Sequence, residues 1–174
     1  RNLRIRELPA TPLEPGQVAI SNRGYRCLYT GVDFSGWRAT KGWHSQNWQF
    51  RFDGKSEAAD KSLLTTESFD DFGFIFDVRV SEETQSCEFQ FRGSEGAVIT
   101  IAPSLYKDAL VLKGRNWNRF EGELLGDRLS LNLNGKPIFK NKKLSGVPAK
   151  GPLKIVPRGP INFANIYVRD LTKR

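Results

Sequence analysis

The sequence GFIFDVRVSEETQSCEFQFR, residues 73–92, alternates apolar and polar side chains on both sides of a short polar segment. Successive side chains of a β-strand point to opposite faces, so this pattern predicts two strands, each with one apolar face. The apolar side chains are Phe74, Phe76, Val78 and Val80 before the polar segment, and Cys87, Phe89 and Phe91 after it. The opposite faces carry Ile75, Asp77 and Arg79 in the first strand, and Glu88, Gln90 and Arg92 in the second.

We expect the two strands to pair as an antiparallel hairpin around residues 81–86. This pairing places Arg79 opposite Glu88 and Asp77 opposite Gln90. Diagonal neighbours in such a ladder lie about 7 to 8 Å apart, so the carboxylates of Asp77 and Glu88 would share one surface. The hairpin therefore predicts an exposed patch of acid, base and cation above an apolar layer.

The rest of the chain reads in the same way, as short β-type runs separated by Gly, Pro, Asn and Asp. Gly126-Asp127 and Asn134-Gly135 are strong reversal signals. No window sustains the apolar stripe of an amphipathic helix. The remaining strand candidates are residues 25–29, 48–52, 62–66, 97–102, 110–112, 118–125, 128–134, 154–156 and 161–169. The pattern predicts an all-β fold, a sandwich of two antiparallel sheets.

The two ends of the chain share a motif. Residues 1–8, RNLRIREL, and residues 164–171, ANIYVRDL, agree at Asn, Arg and Leu and are conservative at neighbouring positions. Two interpretations stay open: residues 1–8 close a preceding tandem copy, or they form an edge strand of this domain. Three prolines and a glycine then break regular structure, so we expect a linker over residues 9–24 and the β-sandwich domain over residues 25–174.

Charge and hydropathy exclude several classes of partner. The net charge is +8, which invites a nucleic-acid interpretation. The basic residues are dispersed, however, and the one dense run, residues 140–143, is predicted to be a turn beside a hairpin. We therefore expect no nucleic-acid partner, since no aromatic RNA-binding motif is present either. No apolar run approaches the roughly 20 residues of a membrane helix, so no membrane span is expected in this sequence.

Few side chains are suited to bind transition metals. One histidine and two cysteines are too few for a tetrahedral zinc site. Cys27 and Cys87 either form a disulfide, if the protein is exported, or are two buried free thiols. We predict no cofactor, while oxygen ligands such as Asp70 and Asp71 leave calcium open.

An ordered series of motifs between Tyr25 and Leu171 resembles one known family. The series comprises LYTGVDFSGW (28–37), LLT (63–65), FDDF (69–72), DVR (77–79), WN (117–118), GDRL (126–129), LNGK (133–136), GPL (151–153) and FANIYVRDL (163–171). Taken together, they resemble the 3-keto-disaccharide hydrolase domain. Residues 1–8 resemble the closing motif of the same family, as an upstream copy would.

The resemblance implies a concanavalin-A-like jelly roll whose concave sheet receives saccharides. In a sugar oxidised at C3, the neighbouring C–H is acidic, so a base can remove that proton and the enolate can expel the glycosidic oxygen. By analogy Asp77 is the base candidate, with Arg79 and Arg92 as stabilising cations. Direct hydrolysis by Asp77 and Glu88 as paired carboxylates is the less favoured version.

The sequence also departs from the family pattern. Residues 85–87 and 97–102 lack the acids that the family carries on its second central strand. The resemblance therefore supports two functions: cleavage of a 3-keto-glycoside, or a non-catalytic carbohydrate-binding or scaffolding module. In the second case Asp77 and Glu88 would only balance neighbouring arginines as exposed ion pairs.

Further binding residues are predicted beside this patch. Trp43 and His44, in the polar segment 42–47, could contact a sugar ring, as could Gln90 and Arg92 on the second strand. We expect a saccharide or glycan as ligand. We also expect a neighbouring tandem domain in a longer chain, and an extracytoplasmic location.

Overall fold

The computed structural model describes residues 23–102 and 116–172, and these residues form two antiparallel sheets packed face to face. In chain order the strands are β1 (Arg26–Cys27), β2 (Trp37–Ala39), β3 (Trp43–Gln46), β4 (Gln49–Phe52), β5 (Leu63–Thr65), β6 (Phe72–Val80), β7 (Ser86–Gln90), β8 (Val98–Ile101), β9 (Asn118–Leu125), β10 (Arg128–Leu133), β11 (Lys136–Lys143), β12 (Lys154–Arg158) and β13 (Ile161–Asp170). The predicted all-β sandwich is confirmed. Among the described residues, no helix is long and apolar enough to cross a membrane.

The larger sheet has the order β11-β10-β9-β6-β13-β4-β3, and β1 pairs with the far end of β13. The smaller sheet has the order β2-β5-β12-β7-β8. Strand β6 lies at the centre of the larger sheet, where it pairs with β9 on one side and β13 on the other. This central position places the side chains of β6 in the middle of both the core and the outer face.

The core is built mainly from phenylalanines that meet between the sheets. Phe76 of β6 stacks on Phe89 of β7, with ring centroids 4.2 Å apart, and on Phe120 of β9 at 5.0 Å. Phe74 contacts Phe91 at 4.9 Å. All these rings are almost fully buried, and burying one such side chain stabilises the fold by about 1.5 to 3 kcal/mol. The alternation in residues 73–92 thus correctly predicts which side chains enter the core.

The predicted hairpin between these two strands is wrong. Strand β6 belongs to the eight-stranded sheet and β7 to the five-stranded sheet, so their apolar faces cover each other across the sandwich. In a hairpin, both apolar faces would point the same way and would need a separate layer to cover them. The crossing between the sheets is fixed because the Thr84 hydroxyl donates to the Pro160 carbonyl and the Gln85 amide donates to the Arg158 carbonyl.

Three strands were not predicted. Strands β2 and β3 were not recognised because they are short and polar on one face. The polar segment 42–47, in which no strand was predicted, supplies all of β3. Residues 140–143, expected to be a turn, lie in the edge strand β11, where lysines discourage pairing with another chain. The strand candidate 110–112, the motif of residues 1–8 and most of the expected linker lie outside the described residues.

The predicted reversals at Gly126 and Asn134 are confirmed, since they close the β9–β10 and β10–β11 hairpins with positive φ angles. Both cysteines are free. Cys87 is buried in the core, and this burial raises the pKa of its thiol strongly, whereas Cys27 is exposed. The alternative of two free thiols is therefore correct, although only one of them is buried.

Candidate functional site

The outer face of the eight-stranded sheet presents polar side chains in cross-strand rows. One row contains Arg51, Asn162 and Arg79, because these residues are register partners on β4, β13 and β6. In the adjacent row Asp77 faces Arg119 on β9 and Ala164 on β13. Asp77 and Arg79 share this face, as the alternation in the sequence predicts.

Asp77 is the best-connected acid of this face. Arg119 donates to both of its oxygens, from Nε to Oδ1 at 2.8 Å and from Nη2 to Oδ2 at 2.9 Å. Asn165 Nδ2 also donates to Oδ2, at 2.6 Å. The Asp77 side chain is only 8% exposed, while that of Arg119 is 40% exposed. These hydrogen bonds raise the pKa of Arg119, which desolvation alone would lower. We call Asp77, Arg119 and Asn165 the Asp77 cluster.

A β-bulge in β13 brings Asn165 to this position. The register between β13 and β6 shifts between Ala164 and Tyr167, and Asn165 has φ of 50°. Asparagine tolerates this left-handed conformation better than most residues. A bulge re-aims a side chain that regular pleating would point elsewhere, so the Asn165 amide reaches Asp77.

Arg79 extends the site along β6. Its Nη2 donates to Gln49 Oε1 at 3.1 Å, and its guanidinium lies over the Trp117 ring, 4.8 Å from the centroid. Trp117 is 36% exposed, so part of the ring is open to solvent. The site therefore combines two arginines, one carboxylate, two amides and an aromatic ring on one face, the kinds of group that hydrogen-bond and stack on polar ligands.

The second carboxylate near Asp77 is Glu121. It lies on the same face of β9, two residues beyond Arg119 and opposite Ile75. Asp77 and Glu121 are thus diagonal neighbours, a relation that places residues about 7 to 8 Å apart. Arg119, Glu121 and Asn165 were not predicted from the sequence. The alternation of β9 could have indicated the first two, but nothing in the sequence pattern marks the bulge.

Glu88 and Gln90 are not part of this surface, contrary to prediction. They alternate outward from β7, on the opposite outer face of the sandwich, where Gln90 Nε2 donates to Glu88 at 2.8 Å. Packed sheets are about 10 Å apart and these side chains point away from β6, so Glu88 cannot act with Asp77 on one bond. Gln90 is also only 2% exposed. The predicted carboxylate pair is therefore wrong.

Arg92 was predicted to contact substrate, but it is buried. After β7 the chain enters a single 3₁₀ turn, in which Arg92 has φ of 51° and its side chain turns into the protein. The side chain is 1% exposed and donates to the carbonyls of Asp70, Gly126 and Pro148 and to Asp71 Oδ1, at 2.6 to 2.9 Å. Arg92 therefore joins three loops and has no free donor face for a ligand.

The same contacts involve Asp70 and Asp71, the residues considered as calcium ligands. The Asp70 carbonyl and the Asp71 carboxylate both accept hydrogen bonds from the Arg92 guanidinium, so a cation already occupies these oxygens. Across residues 23–102 and 116–172 there is no cluster of three or more His, Cys, Asp or Glu side chains that could hold a metal ion. Asp71 and the backbone of Asp70 thus hold this loop in place through Arg92.

Trp43 and His44 point to opposite faces of β3. Trp43 is 6% exposed, packs on Phe52 with centroids 5.3 Å apart and donates its indole N–H to the Lys61 carbonyl, so its predicted contact with a sugar is wrong. His44 points outward from β3, with its Nε2 3.4 Å from Asp53 Oδ2. It shares the row of Arg79, but three strand spacings, about 14 Å, separate the two residues.

Tyr167 is a further polar residue of this face, next to Ile75 on β6. Desolvation raises the pKa of its phenol, and the neighbouring Cys27 thiol raises it further. At neutral pH the phenol is therefore a neutral hydroxyl, able to donate or accept a hydrogen bond.

The family model of the 3-keto-alpha-glucoside-1,2-lyase-like domain matches residues 24–169, whereas a search of curated proteins gives no match. Among solved structures, a candidate glycosyl hydrolase from Parabacteroides distasonis has a TM-score of 0.70 at 15% identity, covering 92% of this chain and 98% of that one. The carbohydrate-binding module CBM66 from Bacillus subtilis has a TM-score of 0.57 at 19% identity, covering 80% of this chain and 98% of that one. These two structures share the fold, and the resemblance seen in the sequence motifs is confirmed by the family match. The chain belongs to the 3-keto-alpha-glucoside-1,2-lyase-like domain family.

Proposed function

We propose that this domain binds a saccharide on the outer face of the eight-stranded sheet, centred on the Asp77 cluster. The observation that carries this proposal is the Asp77 carboxylate held by Arg119 and Asn165 beside the half-open Trp117 ring. Fixed donors and acceptors match the hydroxyls of a sugar, and an aromatic ring matches its C–H face. Family membership supports the same class of ligand.

A second candidate function is cleavage of a 3-keto-glycoside at this site. Asp77 would take the proton on C2, whose electron pair becomes part of the enolate at C3. Collapse of the enolate forms a C1–C2 double bond and expels the glycosidic oxygen, which takes up a proton. Arg119 and Arg79 lie beside Asp77 and would stabilise the enolate oxygen. The description of the family as lyase-like favours this candidate.

Geometry makes binding the better-supported function. The Asp77 carboxylate has about four lone-pair positions, and three of them already accept hydrogen bonds from Arg119 and Asn165. Asp77 is thus arranged chiefly to position Arg119, and it keeps one acceptor position for a ligand hydroxyl.

Calorimetry with 3-keto-trehalose and 3-keto-sucrose tests the proposal, with trehalose and sucrose as unoxidised controls. We expect saturable binding that weakens by about tenfold or more in Asp77→Asn, since a charge-assisted acceptor contributes roughly 1.5 to 3 kcal/mol. The matched control is Glu88→Gln, which removes a carboxylate from the opposite sheet and should bind normally. Absence of binding to all four sugars by the folded wild type would refute the proposal.

Turnover separates the two candidates. Elimination leaves a C1–C2 double bond conjugated to the C3 carbonyl, which is detected by its ultraviolet absorbance. Binding without this signal supports a non-catalytic module. A signal that disappears in Asp77→Asn but survives in Glu121→Gln would assign the base to Asp77, whereas loss in Glu121→Gln alone would move it to Glu121.

A further inference from the structure

The turn between β3 and β4 places a tryptophan in an unfavourable backbone conformation. Asn47 and Trp48 form this two-residue turn, with φ angles of 52° and 60°, and Gln46 pairs with Gln49 across it. Turns with two positive φ angles favour asparagine followed by glycine. A bulky side chain at the second position is rare. Trp48 is nevertheless 69% exposed, so core packing does not explain its presence.

Gly31 holds the Trp48 ring in place. A Cβ atom on Gly31 would lie 2.2 Å from Trp48 Cε3 and 2.4 Å from Cζ3, so the ring rests directly against the Gly31 backbone. Gly31 has φ of 85°, a conformation that favours glycine. Two residues distant in sequence thus combine to fix an aromatic ring that is mostly surrounded by solvent. A ring held in this way loses little side-chain entropy when a ligand stacks on it.

The register brings the backbone of Trp48 close to the Asp77 cluster. Strand β4 pairs with β13 as far as Phe163, and the pairing of β1 resumes where the Leu28 amide donates to the Ile166 carbonyl. Asn165 lies in the gap between these two strands, and the β3–β4 turn directly precedes Gln49, the first residue of β4, at the end of that strand nearest the gap. Gln49, which follows Trp48 directly, contacts Arg79 through its side chain.

We propose that Trp48 is a stacking platform for a pyranose ring and forms a second subsite next to the Asp77 cluster. This inference rests on the proposed function and deepens it, since it gives the ligand at least two sugar units: one at the Asp77 cluster and one on Trp48. The apolar C–H face of a sugar packs on an aromatic ring while its hydroxyls stay in solvent. A monosaccharide that reaches only the Asp77 cluster would gain nothing from Trp48.

The decisive variant is Trp48→Gly, which removes the ring and supplies the residue that the turn prefers. We expect its melting temperature to stay within a few degrees of wild type, while its affinity for 3-keto-trehalose falls about tenfold, the size expected for one aromatic contact. Its affinity for 3-keto-glucose should be unchanged. The matched control is Val32→Ala, which truncates another exposed apolar residue next to Gly31 and should alter neither affinity.

Gly31→Ala is an independent second variant, since its methyl group would displace the Trp48 ring without removing it. It should lose the same affinity for the disaccharide and the change in tryptophan emission that accompanies binding. Equal disaccharide affinity in wild type and Trp48→Gly would overturn the inference and leave the proposed function standing. Failure of the wild type to bind either sugar would overturn both.

Discussion

Replacing Arg92 tests whether the loops at one end of the sandwich depend on a single buried guanidinium. Arg92 makes five hydrogen bonds: two to the Asp70 carbonyl, one each to the carbonyls of Gly126 and Pro148, and one to Asp71 Oδ1. In Arg92→Met the aliphatic stem is kept and all five donors are lost. The neighbouring acceptors are then left in a space that was built around a cation.

The expected loss follows from these contacts. Leaving a buried acceptor unsatisfied costs about 1 to 3 kcal/mol, and breaking a buried charge pair about 3 to 5 kcal/mol. Asp71 is 32% exposed, so water will satisfy much of its carboxylate and the ion pair counts for less than a buried one. Asp70, Gly126 and Pro148 belong to exposed loops, so each carbonyl counts at the low end of its range, about 1 kcal/mol, and together with the weakened ion pair the total is about 3 to 5 kcal/mol. For a domain of this size, that lowers the melting temperature by roughly 6 to 20 °C.

Urea denaturation of wild type, Arg92→Met and Arg92→Lys measures this loss. Lysine keeps the charge but has one nitrogen in place of a planar fork, so we expect an intermediate loss. At urea concentrations well below its unfolding midpoint, Arg92→Met should bind saccharide like wild type, because Arg92 does not reach the outer face. A loss below about 1 kcal/mol in Arg92→Met would refute the reasoning, since it would mean that water replaces the guanidinium at no cost.

Three further predictions concern the fold. The thiol of Cys87 ionises near pH 9.0 in the unfolded chain, whereas burial raises its pKa far above that value in the folded protein. Above pH 9 the folded state therefore keeps a proton that the unfolded state loses. The free energy of unfolding then falls as pH rises, by up to about 1.4 kcal/mol per pH unit. Urea midpoints from pH 8 to 10.5 should show a shallower decline in Cys87→Ala than in wild type. Gly151→Ala would set a methyl group 2.3 Å from the Arg92 carbonyl oxygen, so its free energy of unfolding should fall by about 1 to 3 kcal/mol; an unchanged value would mean that the backbone moves freely there. Thr84→Val leaves the Pro160 carbonyl without its donor at the crossing between the sheets, and should cost about 1 to 2 kcal/mol in the same assay, with Thr84→Ser retaining most of the stability.

The sequence was sufficient for the fold class and for one strand of the site. Alternation assigned Asp77 and Arg79 to one face of β6 because side-chain direction in a strand is a local property. Alternation contains no information about which strand lies alongside, so the partner of β6 was wrongly predicted to be β7, and Glu88 was assigned to the wrong surface. The same limit hid Arg119, which meets Asp77 only because β9, more than 40 positions later, pairs with β6.

The prediction for Arg92 was wrong for a different reason. The alternating pattern continues through it in the sequence, but β7 ends at Gln90 and the backbone of Arg92 turns left-handed. A residue one step beyond the end of a strand no longer obeys the period of two, and no local signal marked that end. Asn165 is the converse case, since the bulge in β13 restarts the alternation with a new phase and creates a contact that regular pleating would not allow.

Departures from ideal backbone geometry are concentrated beside the proposed ligand face. Six residues other than glycine have positive φ angles in the described part of the chain, namely Asn47, Trp48, Arg92, Asn134, Asn141 and Asn165. Two of these, Asn134 and Asn141, lie at a hairpin turn and on an edge strand, and Arg92 serves the fold. The other three surround the gap on the edge of β13 between β4 and β1. Unfavourable backbone persists where the surrounding structure enforces it, and it often has a functional reason. Because the outward row of Asp77 leads into that same gap, the residues with positive φ angles adjoin the polar cluster on the proposed binding surface, and Asn165 belongs to both sets.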